Sequence, residues 1–205
     1  MGIANSDILH GADLDLLYED IFEHSHLYDG GGESVYDRNA ILANGSATTN
    51  QRMNLVGFKC KRTETITKAT LATGTTAAGA TPTVIKYGLY LRRPDQLNYD
   101  LVAQTAHDAA LLVAANTNYS KAFTAPYNKI RGEEYLFGLL IVSGAAFPTL
   151  LGPNNITLTP SANNMLVPPI RAGVIGSLTD LPATFLSSAV IFSSPMQSFQ
   201  VLLQP

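Results

Sequence analysis

Apolar and polar residues alternate in short blocks along most of the chain, and one block is almost wholly apolar. In residues 133–143, EEYLFGLLIVS, seven of the eight positions 135–142 are apolar and the eighth is Gly138. A bilayer span needs roughly 20 apolar residues, so this run is too short to cross one as a helix. Its flanks, Gly132 before and Ser143-Gly144 after, together with β-branched Ile141 and Val142, predict a buried strand. Residues 83–91, TVIKYGLYL, have the same texture and one central glycine, Gly88. They are its expected neighbour. Two strands this apolar must be covered on both faces, which predicts a two-layer sandwich with both near its middle.

Other strands are predicted at short intervals. Residues 53–61 alternate at their end, with Phe58 and Cys60 against Lys59 and Lys61. Residues 64–72 place Ile66 and Leu71 inward. Further strands are expected at 98–104 and 119–127, and short ones at 156–158, 173–175 and 188–193, with 198–203 closing a sheet. Residues 107–116 fit a short helix or a strand equally well, and 128–133 read as a turn. Strand and turn alternation at this spacing predicts an all-β, jelly-roll-like β-sandwich over residues 52–205.

The first fifty residues differ. Ile8, Leu9, Leu14, Leu17, Ile21 and Phe22 roughly follow helical spacing, with Gly11 interrupting it. Residues 1–28 are therefore expected to be an acidic, partly helical docking arm. Residues 29–51, with three glycines at 30–32 and the turn signal Asn44-Gly45, read as a linker with one short strand at 40–43. On this reading removal of residues 1–37 costs the body little stability.

Charge sharpens the division. Residues 1–37 carry nine acidic side chains and no Lys or Arg, residues 38–135 carry twelve basic and six acidic, and residues 136–205 carry only Arg171 and Asp180. Overall 14% of the 205 residues are charged, against a typical value of about 25%. So neutral a surface suits contact with other protein, and a closed homo-oligomer is expected. The single Cys60 excludes an internal disulfide.

Catalytic signatures are missing: the chain has no GxSxG, Walker loop or HExxH. Adjacent Glu133 and Glu134 face opposite sides of a strand and cannot flank one scissile bond. Arg92-Arg93 has no aromatic stacking pattern around it, so nucleic acid is not an expected partner. Enzyme activity and cofactors are not expected. His24 and His26, two apart, are a weak metal-ligand pair in the acidic arm. Tyr87, Tyr99, Tyr119 and Tyr127 lie in or beside strands and are candidates for stacking on a glycan or filling an interface.

Several motifs together resemble a known family. They are AA-x-ATPT (77–83) before the Gly88-Leu89-Tyr90 strand, LVA-x-T-x-x-D (101–108), AANT-x-Y-x-KA-x-x-AP (114–126), G-x-x-Y-x-x-G-x-L-x-V (132–142), PTL-x-G (148–152) and SLTDLPAT (177–184). Over about residues 55–195 the chain is similar to minor tail proteins, virion structural proteins of tailed phages that infect actinobacteria. The resemblance implies a β-sandwich virion component assembled in the host cytoplasm, often trimeric, at the tail tip, baseplate or fibre, with other virion proteins as partners. Residues 1–51 match nothing in that pattern. The same body also suits a receptor-binding module on host cell-wall glycan, or a capsid-surface decoration or head fibre.

Overall fold

A computed structural model describes residues 28–29, 32–35, 41–78, 82–143, 147–153, 172–191 and 199–205. The strands are β1 (Tyr28–Asp29), β2 (Gly32–Ser34), β3 (Ile41–Ala47), β4 (Arg52–Lys59), β5 (Glu64–Ala72), β6 (Val84–Arg92), β7 (Asn98–Gln104), β8 (Asn118–Lys129), β9 (Glu134–Val142), β10 (Thr149–Pro153), β11 (Ala172–Ile175), β12 (Thr184–Leu186) and β13 (Val201–Gln204). Among the described residues there is no α-helix. The helix expected within residues 7–26, with Ile8, Leu9, Leu14, Leu17, Ile21 and Phe22, lies outside them, as does the strand expected at 156–158.

One sheet has the order β1-β2-β13-β5-β8 and the other β11-β4-β9-β6-β7-β12, and every pairing is antiparallel. Eight of these strands, β2, β4, β5, β6, β7, β8, β9 and β13, form a jelly roll. In chain order the first sheet takes the first, last, third and sixth, and the second takes the second, seventh, fourth and fifth. That is the double Greek key of this fold. Strands β1, β11 and β12 extend the sheets, and β3 pairs with β10 beside them.

The apolar run sits where its composition predicts. β9 lies between β4 and β6. Its residues Tyr135, Phe137, Leu139 and Ile141 enter the core between the sheets with Tyr87, Leu89, Ile66, Leu71, Phe199 and Val201. Its alternate residues Leu136 and Leu140 enter a second core with Met53, Leu55, Tyr90 and Tyr99. Residues 172–191 roof that second face with Ile175, Leu181, Phe185 and Val190. Asp180 fastens the roof by pairing with Lys86 of β6 at 2.7 Å. This part of the nearly uncharged C-terminal third therefore packs on its own chain. A strand covered on both faces has no polar side to show, and the alternation disappears.

Gly88 of β6 and Gly138 of β9 face each other in register. A Cβ at Gly138 would lie 2.8 Å from Met53 Sδ, and one at Gly88 3.1 Å from Leu181 Cδ1. Gly88 leaves room for Leu181 of the roof, and Gly138 leaves room for the Met53 and Leu55 side chains of neighbouring β4. Gly138→Val is expected to cost about 2 kcal/mol by overpacking, a melting-temperature fall of about 4–8 °C. Thermal unfolding followed by circular dichroism checks this, and an unchanged midpoint would mean that Met53 and Leu55 do not pack against Gly138.

Three expectations change. Within residues 29–51 the strand expected at 40–43 is present as β3, paired with β10, but the segment is not otherwise merely a linker, because β2 pairs with β13. Three residues suffice for β2 because β13 supplies its ladder, so no long periodic pattern marks it. Residues 107–116 form turns rather than a helix or strand, and bury Leu111 and Leu112 as a plug in the main core. The strand expected at 188–193 is a 3₁₀ turn at Ser187–Ala189 followed by an isolated bridge from Ile191 to Val174.

Candidate functional site

At one end of the sandwich the loop after β4, the start of β5 and the end of β8 meet. Gly132, in the turn after β8, has φ +85°, a conformation that favours glycine. Its N–H donates to Cys60 O at 2.8 Å, and Cys60 N–H donates to Glu133 O at 2.9 Å. Two turns are thus tied together and the space beneath them is closed to water.

Lys129 fills that space. It is 0% exposed, and Glu33 of β2 beside it is 2% exposed. Nζ of Lys129 donates to Glu33 Oε2, to Arg62 O at 3.0 Å and to Cys60 Sγ at 3.5 Å. Glu64 Oε1 lies 2.8 Å from Nζ as an ion pair, without the alignment of a hydrogen bond. Glu33 Oε1 accepts the Lys61 N–H at 3.0 Å. Glu64 Oε2 is held by the Arg62 guanidinium at 2.8 Å. Two cations therefore face two carboxylates, and the formal charge of the cluster sums to zero. Without that balance the desolvation cost would be severe.

Burial works against the charged form of Lys129. Its hydrogen bond to Glu33 and the close Glu64 carboxylate outweigh that and hold its pKa above the ordinary lysine value. Burial, reinforced by Glu33, pushes the Cys60 thiol up to about 11. Cys60 is thus a neutral thiol at pH 7, not an activated nucleophile. It donates its S–H to Arg62 O at 3.1 Å.

No protein-family model matches the chain, and no curated protein matches it.

The sequence-predicted residues fare differently. Ile8, Leu9, Leu14, Leu17, Ile21, Phe22, His24 and His26 lie outside the described residues. Among the described residues no group of three His, Cys, Asp or Glu side chains is placed to hold a metal ion. Tyr87 and Tyr99 do not serve a glycan on this chain, because they are 0% and 1% exposed. Tyr99 stacks on Phe185 of the roof with ring centroids 5.4 Å apart, and Tyr87 lies in the core between the sheets, 5.8 Å from Phe137 of neighbouring β9. Tyr119 and Tyr127 of β8 are half-buried. The Tyr119 hydroxyl accepts the Ala114 N–H, and Tyr127 meets Tyr135 edge to face at 6.2 Å.

The Lys129 cluster escapes a reading of the sequence. Glu33 sits in an apparent linker, Lys129 in an apparent turn, and 96 residues separate them. The available signal is the alternation of β8, in which Lys129 falls on the same side as Tyr127.

Proposed function

We propose that this chain is a structural component of a bacteriophage virion, a minor tail or tail-tip protein held by its acidic N-terminal residues with the sandwich facing outward. The observation that carries this reading is the jelly-roll strand order, an architecture used in viral capsid and lectin modules. The resemblance to phage minor tail proteins supports it, because its motif residues occupy positions that build such a body. Gly88 leaves the space that Leu181 fills, Gly138 leaves space for Met53 and Leu55, and Asp180 ties down the roof. Pro126 lies in β8 at the sheet edge, where a missing N–H is tolerated. A glycan-binding role is less well supported, since two of its four candidate tyrosines are buried.

A chain beginning at residue 28 tests the reading. It should fold, and it should be missing from assembled particles in which the full-length chain is found by labelled electron microscopy. Absence of the full-length chain from particles would refute the proposal. Normal incorporation of the shortened chain would move the docking surface into the sandwich.

A further inference from the structure

We infer that the Lys129 cluster is a self-modification site that forms an amide bond between Nζ of Lys129 and Cδ of Glu33, joining β8 to β2 with loss of water. The inference rests on the geometry of the cluster and needs no assumption about the virion.

Four parts of an acyl-transfer site converge there. Lys129 supplies the nucleophile, in hydrogen-bond contact with the Glu33 carboxyl group, so Cδ lies one C–O bond behind the contact. The Lys61 N–H, 3.0 Å from Glu33 Oε1, is placed to stabilise negative charge on that oxygen. Glu64 Oε1, 2.8 Å from Nζ and accepting no hydrogen bond, has a lone pair available for a proton from the attacking amine. Arg62 positions Glu64 through its other oxygen. A plain ion pair requires only the first of these. Burial adds the driving force, because a water-excluded site disfavours two charges relative to a neutral amide, and the reacting groups are held together.

The step balances without an oxidant or co-reactant. A proton passes from Nζ to Glu33 Oε2, leaving a neutral amine beside a carboxylic acid. The Nζ lone pair attacks Cδ, the C–N bond forms, and the carbonyl electron pair moves onto Oε1 against the Lys61 N–H. Glu64 takes one proton from the nitrogen and delivers it to Oε2. The Cδ–Oε2 bond breaks, water leaves, and the carbonyl re-forms. One ammonium and one carboxylate become one amide and one water, and Glu64 returns to its carboxylate, still paired with Arg62.

The test is the intact mass of the purified full-length chain, measured after denaturation, with Lys129→Arg processed in parallel. The wild-type chain should be lighter than its sequence mass by one water, and Lys129→Arg should show no such loss. Fragmentation should yield a branched peptide joining the segments around Glu33 and Lys129. Glu33→Gln should reach the same final mass as the cross-linked wild type, because it expels ammonia. Glu64→Gln should slow bond formation after refolding by about a hundredfold, as loss of a general base does. A folded wild-type chain that keeps its full sequence mass overturns the inference, and so does a water loss that persists in Lys129→Arg.

Discussion

Removal of residues 1–27 should leave the melting temperature of the body nearly unchanged, while removal of residues 1–37 should lower it by roughly 10 °C or more. The shorter deletion retains Glu33 and both described cores. The longer one removes β2 and, with it, the carboxylate that receives the Nζ hydrogen bond of Lys129. Lys129 is 0% exposed and cannot turn to solvent without opening the end of the sandwich. Loss of one partner of such a pair costs about 3–5 kcal/mol, against a total stability of about 5–15 kcal/mol for a typical domain. Differential scanning calorimetry of the two truncated chains decides the matter. Equal midpoints would show that β2 is dispensable and that Lys129 finds another partner. The boundary of the body thus falls before Glu33 and not after Asp37.

The second large effect concerns the pair itself. Lys129→Met and Glu33→Leu should each destabilise the protein strongly, because the first leaves the Glu33 carboxylate buried without its cation and the second leaves Lys129 only Glu64, which it shares with Arg62. The double variant should recover about 3–5 kcal/mol relative to either single one, since apolar groups then face each other across the same space. In the double variant Glu64 keeps the Arg62 guanidinium, so no carboxylate is left unpaired. Chemical denaturation of the three variants gives that recovery directly. A double variant less stable than either single one would mean that Glu33 and Lys129 act separately. The comparison holds whether or not the amide forms, because none of the three variants retains both the Lys129 amine and the Glu33 carboxyl.

Much of the scaffold is legible in local pattern. The run at 135–142 and its partner at 83–91 show themselves because a strand buried on both faces must be apolar at nearly every position. Their register is centred on Gly88 and Gly138, the two residues that interrupt the apolar runs. β7 is foreseen with its bounds because polar turns punctuate the chain on either side. The tyrosines illustrate the opposite case. Tyr87 and Tyr99 have the composition of exposed aromatics, yet a roof contributed by residues 172–191 and the facing sheet bury them. No local pattern around residue 99 announces that Phe185 will lie on it.

The sequence by itself determined the all-β character, the central pair of strands and the partition of charge into an acidic beginning, a basic middle and a neutral end. These are properties of neighbouring residues, set by the strand's period of two and by turn chemistry. Only the tertiary structure decided that Glu33 closes over Lys129, that Lys61 and Arg62 supply the surrounding donors, and that a lysine in an apparent turn is wholly buried. Those outcomes depend on which distant segments the jelly-roll crossovers bring to one end of the sandwich. A charge is stable there only because its partners arrive from three other places in the chain.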